Sequence, residues 1–304
     1  MRMKTLSGLL FLAASVAAAG DIGADALALT GKFVSECASR DSGTPGAEKA
    51  AGKIASLLPG AEVRSFDEET TWGRVRFHNV FFRVPASGGE GRPSIALMSH
   101  FDTKSGIGGT FQGANDGASS SMLLVEMARR YKEKPLKNFD LLFLFTDGEE
   151  CKIDYGSKDG LHGSRRFAAE FKKARTDLKA VILLDMIGDA NLKIQLPRNG
   201  TPALRLLALE SASALGLRKF IAPADFTVLD DHQPFLEAGF PAVDLIDFEY
   251  GSEDGQPTYW HTPGDTCDKL SAQSLSVAAR IAGEMLRRLD EQGTERKKAK
   301  GSIF

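Results

Sequence analysis

Cysteine is scarce in this sequence. Cys37, Cys151 and Cys267 are its three thiols in 304 residues, enough for at most one bridge within a chain. A surplus of positive charge is also missing. The formal net charge of -2 and a pI near 6.3 exclude the basic balance that nucleic-acid or anionic-membrane partners usually require. There is no internal repeat, and no apolar run reaches the roughly 20 residues needed to span a bilayer. The nearest approach, residues 6–18, follows Arg2 and Lys4 and ends in Ala17, Ala18 and Ala19, an arrangement typical of a cleaved export signal. Residues 1–19 are therefore expected to be a signal peptide. The mature chain would begin near Gly20 or Asp21 as one domain over 20–290, followed by a frayed basic tail over 291–304. No cysteine sits at the processing point, so no lipid anchor is expected. The protein should be periplasmic or secreted, with no stable membrane association after cleavage.

What the sequence does hold is an ordinary globular composition, 42% hydrophobic and 26% charged, sufficient for a substantial core. Apolar runs of strand length fall at 79–84, 94–98, 139–145, 180–184 and 242–246. Helical patterns fall at 25–38, 119–131, 163–173, 201–215 and 271–290. Their alternation predicts a layered α/β fold.

In such sheets ligands collect beyond the carboxyl ends of the strands. The runs here end in His100 and Asp102, in Asp147, Glu149 and Glu150, and in Asp185. Singly, each has an ordinary reading: a carboxylate after a strand often caps the next helix, and a lone histidine is more often hydrogen-bonded than metallated. With Asp116 and His261 they form a set rich in oxygen and imidazole and lacking thiolate. That mixture suits catalytic zinc, where about three protein ligands leave one position open. Adjacent Glu149 and Glu150 project differently, so one can bind metal while the other moves protons. Gly113, Gly117 and Gly148 fit tight backbone paths between these groups, or simply turns.

Five ordered motifs carry a resemblance: His100-Phe101-Asp102, Gly113-Ala114-Asn115-Asp116, Asp147-Gly148-Glu149-Glu150, Leu184-Asp185-Met186-Ile187-Gly188 and Trp260-His261-Thr262. From about Asn79 to Leu289 the chain resembles the zinc exopeptidases, which include bacterial aminopeptidases and, as a branch, the glutaminyl cyclases. The resemblance implies a single-domain three-layer α/β/α sandwich with a mixed, mostly parallel sheet. In the two-zinc aminopeptidases the positions matching His100, Asp116, Glu150, Asp185 and His261 bind metal, Asp116 bridging, and the one matching Glu149 is the general base. The cyclases hold one zinc through the positions matching Asp116, Glu150 and His261.

Features between the motifs lean toward the cyclases. The segment from Cys151 to His162, before Gly163-Ser164-Arg165, matches theirs in length and ending. His100-Phe101-Asp102-Thr103-Lys104, Asp116-Gly117 and Asp230-Asp231-His232-Gln233-Pro234-Phe235 are likewise cyclase-like. Two departures bear on the pocket: Tyr155 stands where animal cyclases have tryptophan, and 248–258 is longer than their loop. Tyr155 and Trp260 are candidate substrate-binding walls, or core. Asp230 and Asp231 read as caps of a short helix at 233–238, or one as functional; by the resemblance Asp230 shares a proton network with Asp185. Cys151 and Cys267, each near a candidate ligand, are the expected disulfide pair, against three reduced thiols.

The expectation is thus a zinc-dependent glutaminyl-peptide cyclotransferase acting on peptide or protein N-termini, with Glu149, Asp185 and Asp230 catalytic and one Zn2+. The alternatives are a two-zinc aminopeptidase, His100 and Asp185 holding the second ion, and a secreted binding domain without catalysis.

Overall fold

The computed structural model describes residues 14–251 and 257–301. Its centre is a sheet whose eight strands, among the described residues, run in the order β1-β2-β4-β3-β5-β8-β6-β7. The inner strands are β3 (Ser94–His100), β4 (Asp140–Thr146), β5 (Leu178–Asp185) and β8 (Ala242–Ile246), all mutually parallel. Their carboxyl ends therefore share one edge. Antiparallel β1 (Glu62–Thr70) and β2 (Gly73–Val84) extend the sheet beside β4, and short β6 (Ile194–Leu196) and β7 (Ile221–Pro223) extend it beside β8.

Every residue of β3 and β4 is buried. A strand covered on both faces reads as a continuous apolar run, which is why these strands were visible in sequence. Alternate side chains serve the two faces. Ile95, Leu97, Phe143, Ile182 and Leu184 join a core with α1 (Ala14–Glu36), α2 (Pro45–Leu57), α3 (Ser120–Glu133), α5 (Pro202–Ala214) and α7 (Ala272–Gly301). Ala96, Met98, Leu144 and Leu183 face Phe167 and Phe171 of α4 (His162–Ala174) and Phe235 of α6 (His232–Ala238). The result is a single-domain three-layer α/β/α sandwich with a mixed, mostly parallel sheet, as expected.

Some expectations change. β1 was not anticipated, because its sequence Glu-Val-Arg-Ser-Phe-Asp-Glu-Glu-Thr is charged on its open side and buries only Phe66 and Thr70; edge strands are commonly charged in this way. The backbone of α7 continues to Gly301, through most of the tail expected to fray. Asn138 anchors its middle, donating from Nδ2 to the Asp290 carbonyl and to Thr294 Oγ1, 2.9 and 2.8 Å away. Cys151 and Cys267 do not pair, and all three cysteines are free. Cys151 Sγ instead accepts from Lys104 Nζ at 3.2 Å. Of the expected leader 1–19, residues 1–13 lie outside the described residues, as do 252–256 of the long loop at 248–258. Among the described residues no helix is long and apolar enough to cross a membrane.

Candidate metal centre and active site

The parallel strands deliver their terminal side chains to one basin. His100 ends β3 and Asp185 ends β5, while Glu149 and Glu150 follow β4 by three and four residues. Asp116 reaches the basin from an irregular turn, Ala114–Ser119, in which Asp116 and Gly117 leave helical geometry. Gly117 has φ +88, and a Cβ there would lie 2.9 Å from the Asp102 carbonyl oxygen and 3.0 Å from the His100 ring, so only glycine allows this approach. His261 and Met186, which flanks Asp185, hold positive φ of 53° and 49°. Such backbone strain in non-glycine residues persists where the surroundings enforce it, often at functional sites.

The Asp116 carboxylate lies between two imidazoles. One oxygen is 3.1 Å from His100 Nε2 and the other 3.4 Å from His261 Nε2. His100 Nε2 is also 3.2 Å from Asp185 Oδ1, and His261 Nε2 is 3.0 Å from Glu150 Oε1. Two overlapping trios result, His100–Asp116–Asp185 and Asp116–Glu150–His261, with the ligand atoms of each within 4.8 Å of one another.

These donors fit zinc on the chemistry of their own atoms. Asp116 Oδ2 and Glu150 Oε2 are buried without a hydrogen-bond partner among the described residues, a costly condition that a cation relieves. Burial pushes the Glu150 carboxyl well up, with Asp116 adding to the rise. Burial also acts against ionised Asp116, but hydrogen bonding and charge from His100 outweigh it and lower its pKa. Burial lowers the pKa of His261, favouring the neutral ring that a metal requires. Trp260 stacks on that ring with centroids 4.0 Å apart and so fixes its plane.

A cavity of about 250 Å³ opens over the second trio. Asp116, Glu150 and His261 form its floor, with Glu149, Asp185 and Asp230 around them. Tyr155 and Trp260 line it as well, and Trp260 also packs against the buried cluster of Met186, Ile246 and Tyr250. His100 lies beneath, 1% exposed. Burial opposes protonation of its ring, but hydrogen bonds to Asp102, Asp116 and Asp185 prevail and raise its pKa well above the ordinary value.

Glu149 is not part of either trio. Burial pushes its carboxyl well up, with Glu150 and Asp230 reinforcing the shift. Asp230 is raised by burial and by neighbouring Asp185 and Asp231. Close carboxyl groups of this kind hold a proton between them. Neither Asp230 nor Asp231 caps α6 through its side chain: Asp230 faces the cavity, and Asp231 receives the hydroxyl of Thr146 at the end of β4. Asp147 also faces away, accepting from the His78 amide at 2.8 Å and from Ser42 Oγ at 2.8 Å.

A third trio, Asp230–His232–Asp244, brings its ligand atoms equally close. Its histidine argues against a metal. Asn199 is oriented by the Val228 backbone, accepting on Oδ1 from its amide and donating from Nδ2 to its carbonyl; Nδ2 also lies 3.0 Å from Gln233 Oε1 and 2.9 Å from His232 Nε2, and an amide nitrogen cannot accept a hydrogen from the ring. The ring hydrogen then sits on Nδ1, which faces Asp244 at 4.0 Å and has no lone pair to offer.

Several supporting roles were missed in sequence, including that of Asp102, which was singled out there only as a member of the cluster. Asp102 accepts the amides of Glu149 and Glu150 at 3.2 and 3.1 Å, and Asp265 accepts those of Asn115 and Asp116 at 2.8 and 3.1 Å. Asp244 had a visible signal, a carboxylate inside the apolar run 242–246. Arg40 had none. Fully buried, it donates to the carbonyls of Phe101, Cys37, Gln112 and Gly113 at 2.6 to 3.0 Å, joining the end of α1 to the loops that carry the candidate ligands His100 and Asp116. Burial lowers its pKa to about 10, so it stays charged at neutral pH. Arg40→Met, stranding these carbonyls, is expected to destabilise the fold by about 3 kcal/mol or more in urea unfolding; unchanged stability would contradict the clamp.

Asp247, just past β8, has its carboxyl pushed by burial from 3.8 to about 7, while its Oδ2 accepts the Lys193 amide at 2.9 Å. Folded chains therefore keep a proton that unfolded chains lose, and this stabilising contribution, complete below pH 3.8, is lost as pH rises toward about 7. Asp247→Asn retains an acceptor and is expected to flatten the loss of Tm across that window. Equal slopes for variant and wild type would refute this.

Comparison with known proteins agrees with the geometry. The family described as Peptidase family M28 matches residues 79–286. The glutaminyl-peptide cyclotransferase of Drosophila melanogaster is 29% identical over 252 residues, covering 72% of this chain and 68% of that protein. The crystal structure of an Acidobacteriales bacterium glutaminyl cyclase superposes with TM-score 0.83 at 30% identity, covering 96% of this chain and 99% of the other. A Zn-dependent exopeptidase from Parabacteroides distasonis shares the fold, with TM-score 0.73 at 21% identity over 87% of this chain and 97% of that one. With the match spanning every candidate ligand from His100 to His261, the chain belongs to peptidase family M28, and relatives it resembles there include glutaminyl cyclases.

Proposed function

We propose that this protein is a zinc-dependent glutaminyl-peptide cyclotransferase, closing N-terminal glutamine of peptides or proteins to pyroglutamate with release of ammonia. The observation that carries the reading is the unligated Glu149 carboxyl beside the Asp116–Glu150–His261 trio, in a cavity of about 250 Å³ walled by Tyr155 and Trp260. Such a space suits the end of a chain better than a broad surface.

Asp116, Glu150 and His261 would hold the zinc, which supplies a Lewis acid for the glutamine side-chain carbonyl. Glu149 takes a proton from the substrate's α-amine as that nitrogen bonds to the side-chain carbonyl carbon. It then gives the proton to the amide nitrogen as its bond to the same carbon breaks, so ammonia departs and no water is consumed. Asp185 and Asp230 would hold the amine by accepting its N–H groups on their carboxyl oxygens, which leaves the nitrogen lone pair free to attack. Trp260 and Tyr155 exclude water from the reacting groups.

The His100–Asp116–Asp185 trio favours a second reading, a two-zinc aminopeptidase in which His100 and Asp185 complete another metal position around Asp116 and Glu149 activates water. Leader-like residues 1–19 support export of the enzyme, with residues 20–290 as its catalytic domain and 291–304 as an appended basic tail. Intact candidate ligands and Glu149 speak against a binding domain without catalysis. The test is ammonia release from a glutamine-initiated peptide by chelated and zinc-reconstituted protein. Zinc-restored release is expected, and its absence from fully loaded protein would refute the cyclase.

A further inference from the structure

The segment between Glu150 and α4 is organised around one ring. The Asp159 carboxylate gathers the amides of Lys152, Ile153 and Asp154 at 2.7, 2.9 and 3.3 Å. The amides of Leu161 and His162 donate to the carbonyls of Glu149 and Gly148 at 3.0 and 2.8 Å, tying the segment back to the turn that bears Glu149. Gly160 has φ +75, and a Cβ there would lie 2.5 Å from Tyr155 Cδ1, so the aromatic ring rests directly on glycine backbone. Placed in this way, the Tyr155 hydroxyl donates to Glu149 Oε1 at 2.9 Å. An aromatic wall needs no such bond.

We propose that Tyr155 is a positioning residue for Glu149: its hydroxyl holds Oε1 and leaves the other carboxylate oxygen to exchange the proton with substrate. The inference rests on the assignment of Glu149 as the proton-transfer group, which both enzymatic readings share. A flexible glutamate in a cavity can rotate about three bonds, and a reacting oxygen displaced by an ångström loses about a hundredfold in rate. The hydroxyl removes that freedom at a cost already met by the folded loop. The phenol remains the donor because burial raises its pKa.

Tyr155→Phe removes the bond and keeps the wall. With zinc-loaded protein and whichever peptide the wild type processes, glutamine-initiated or leucine-initiated, kcat is expected to fall about 10- to 100-fold with KM within about twofold. In the Glu149→Gln background the same change should cost nothing further, because the group it positions no longer moves protons. Tyr155→Ala should raise KM as well, through loss of the wall. Wild-type kcat in Tyr155→Phe, a loss confined to KM, or an equal loss in both backgrounds would overturn the positioning role. A wild type that processes neither peptide would overturn the functional reading and this role with it; leucine release alone would overturn the cyclase and leave Tyr155 to be judged by its kcat.

Discussion

Glu149→Gln is expected to lower kcat by about 10²- to 10⁴-fold while zinc content stays at the wild-type value. The substitution is isosteric, and its carbonyl oxygen can still accept the Tyr155 hydroxyl now 2.9 Å from Oε1, so the loop keeps its shape. What disappears is the ability to take a proton from an amine and return it to a leaving nitrogen. Because Glu149 belongs to neither candidate metal trio, the ion has no reason to leave. Steady-state kinetics alongside elemental analysis checks both halves. Full turnover would remove the proton-transfer role, and lost zinc would make Glu149 a ligand instead.

The second large effect concerns His261. Its Nε2 lies 3.0 Å from Glu150 Oε1 and 3.4 Å from Asp116 Oδ2, the only nitrogen in that trio, and burial keeps the ring in its neutral form. His261→Ala is expected to weaken zinc binding by more than the roughly 10- to 100-fold typical of losing an outer partner, and to abolish turnover with it. Competition against a chelator of known affinity measures this. Wild-type stoichiometry and affinity in His261→Ala would refute the ligand assignment. His100→Ala provides the contrast: a one-zinc enzyme keeps its ion, whereas a two-zinc enzyme loses one.

Much of this site was legible in sequence because a parallel sheet converts strand order into spatial convergence. His100, Glu150 and Asp185 follow apolar runs far apart in sequence, yet the strands that carry them end on one edge. Asp116 and His261 come from loops, and their place became readable only through the motifs around them. The supporting groups were not legible, for a physical reason. Arg40 and Asp265 act by hydrogen bonding backbone amides or carbonyls, as does Asp102, which the sequence placed in the cluster without this role, and those partners leave no trace in residue identity. The same holds for Tyr155, whose ring could be read as a wall but whose hydroxyl bond to Glu149 depends on the path of the loop between them.

At the edges of the fold the information was thinner still. The inner strands are covered on both faces and advertise themselves as apolar runs. β1 buries only alternate or fewer side chains, and β6 and β7 have three residues each, too few for a period to emerge. α6 was anticipated, but Asp231 at its start turned out to bond Thr146 rather than cap the helix, a choice set by the approach of β4.

The most direct test of the account is to incubate zinc-loaded protein with two peptides, one beginning with glutamine and one with leucine, and to follow both by mass spectrometry beside a control without enzyme. The account predicts loss of one ammonia from the glutamine peptide, well above spontaneous closure, with the leucine peptide intact. Release of free leucine, with no ammonia lost beyond the control, would contradict it and leave the two-zinc aminopeptidase in its place.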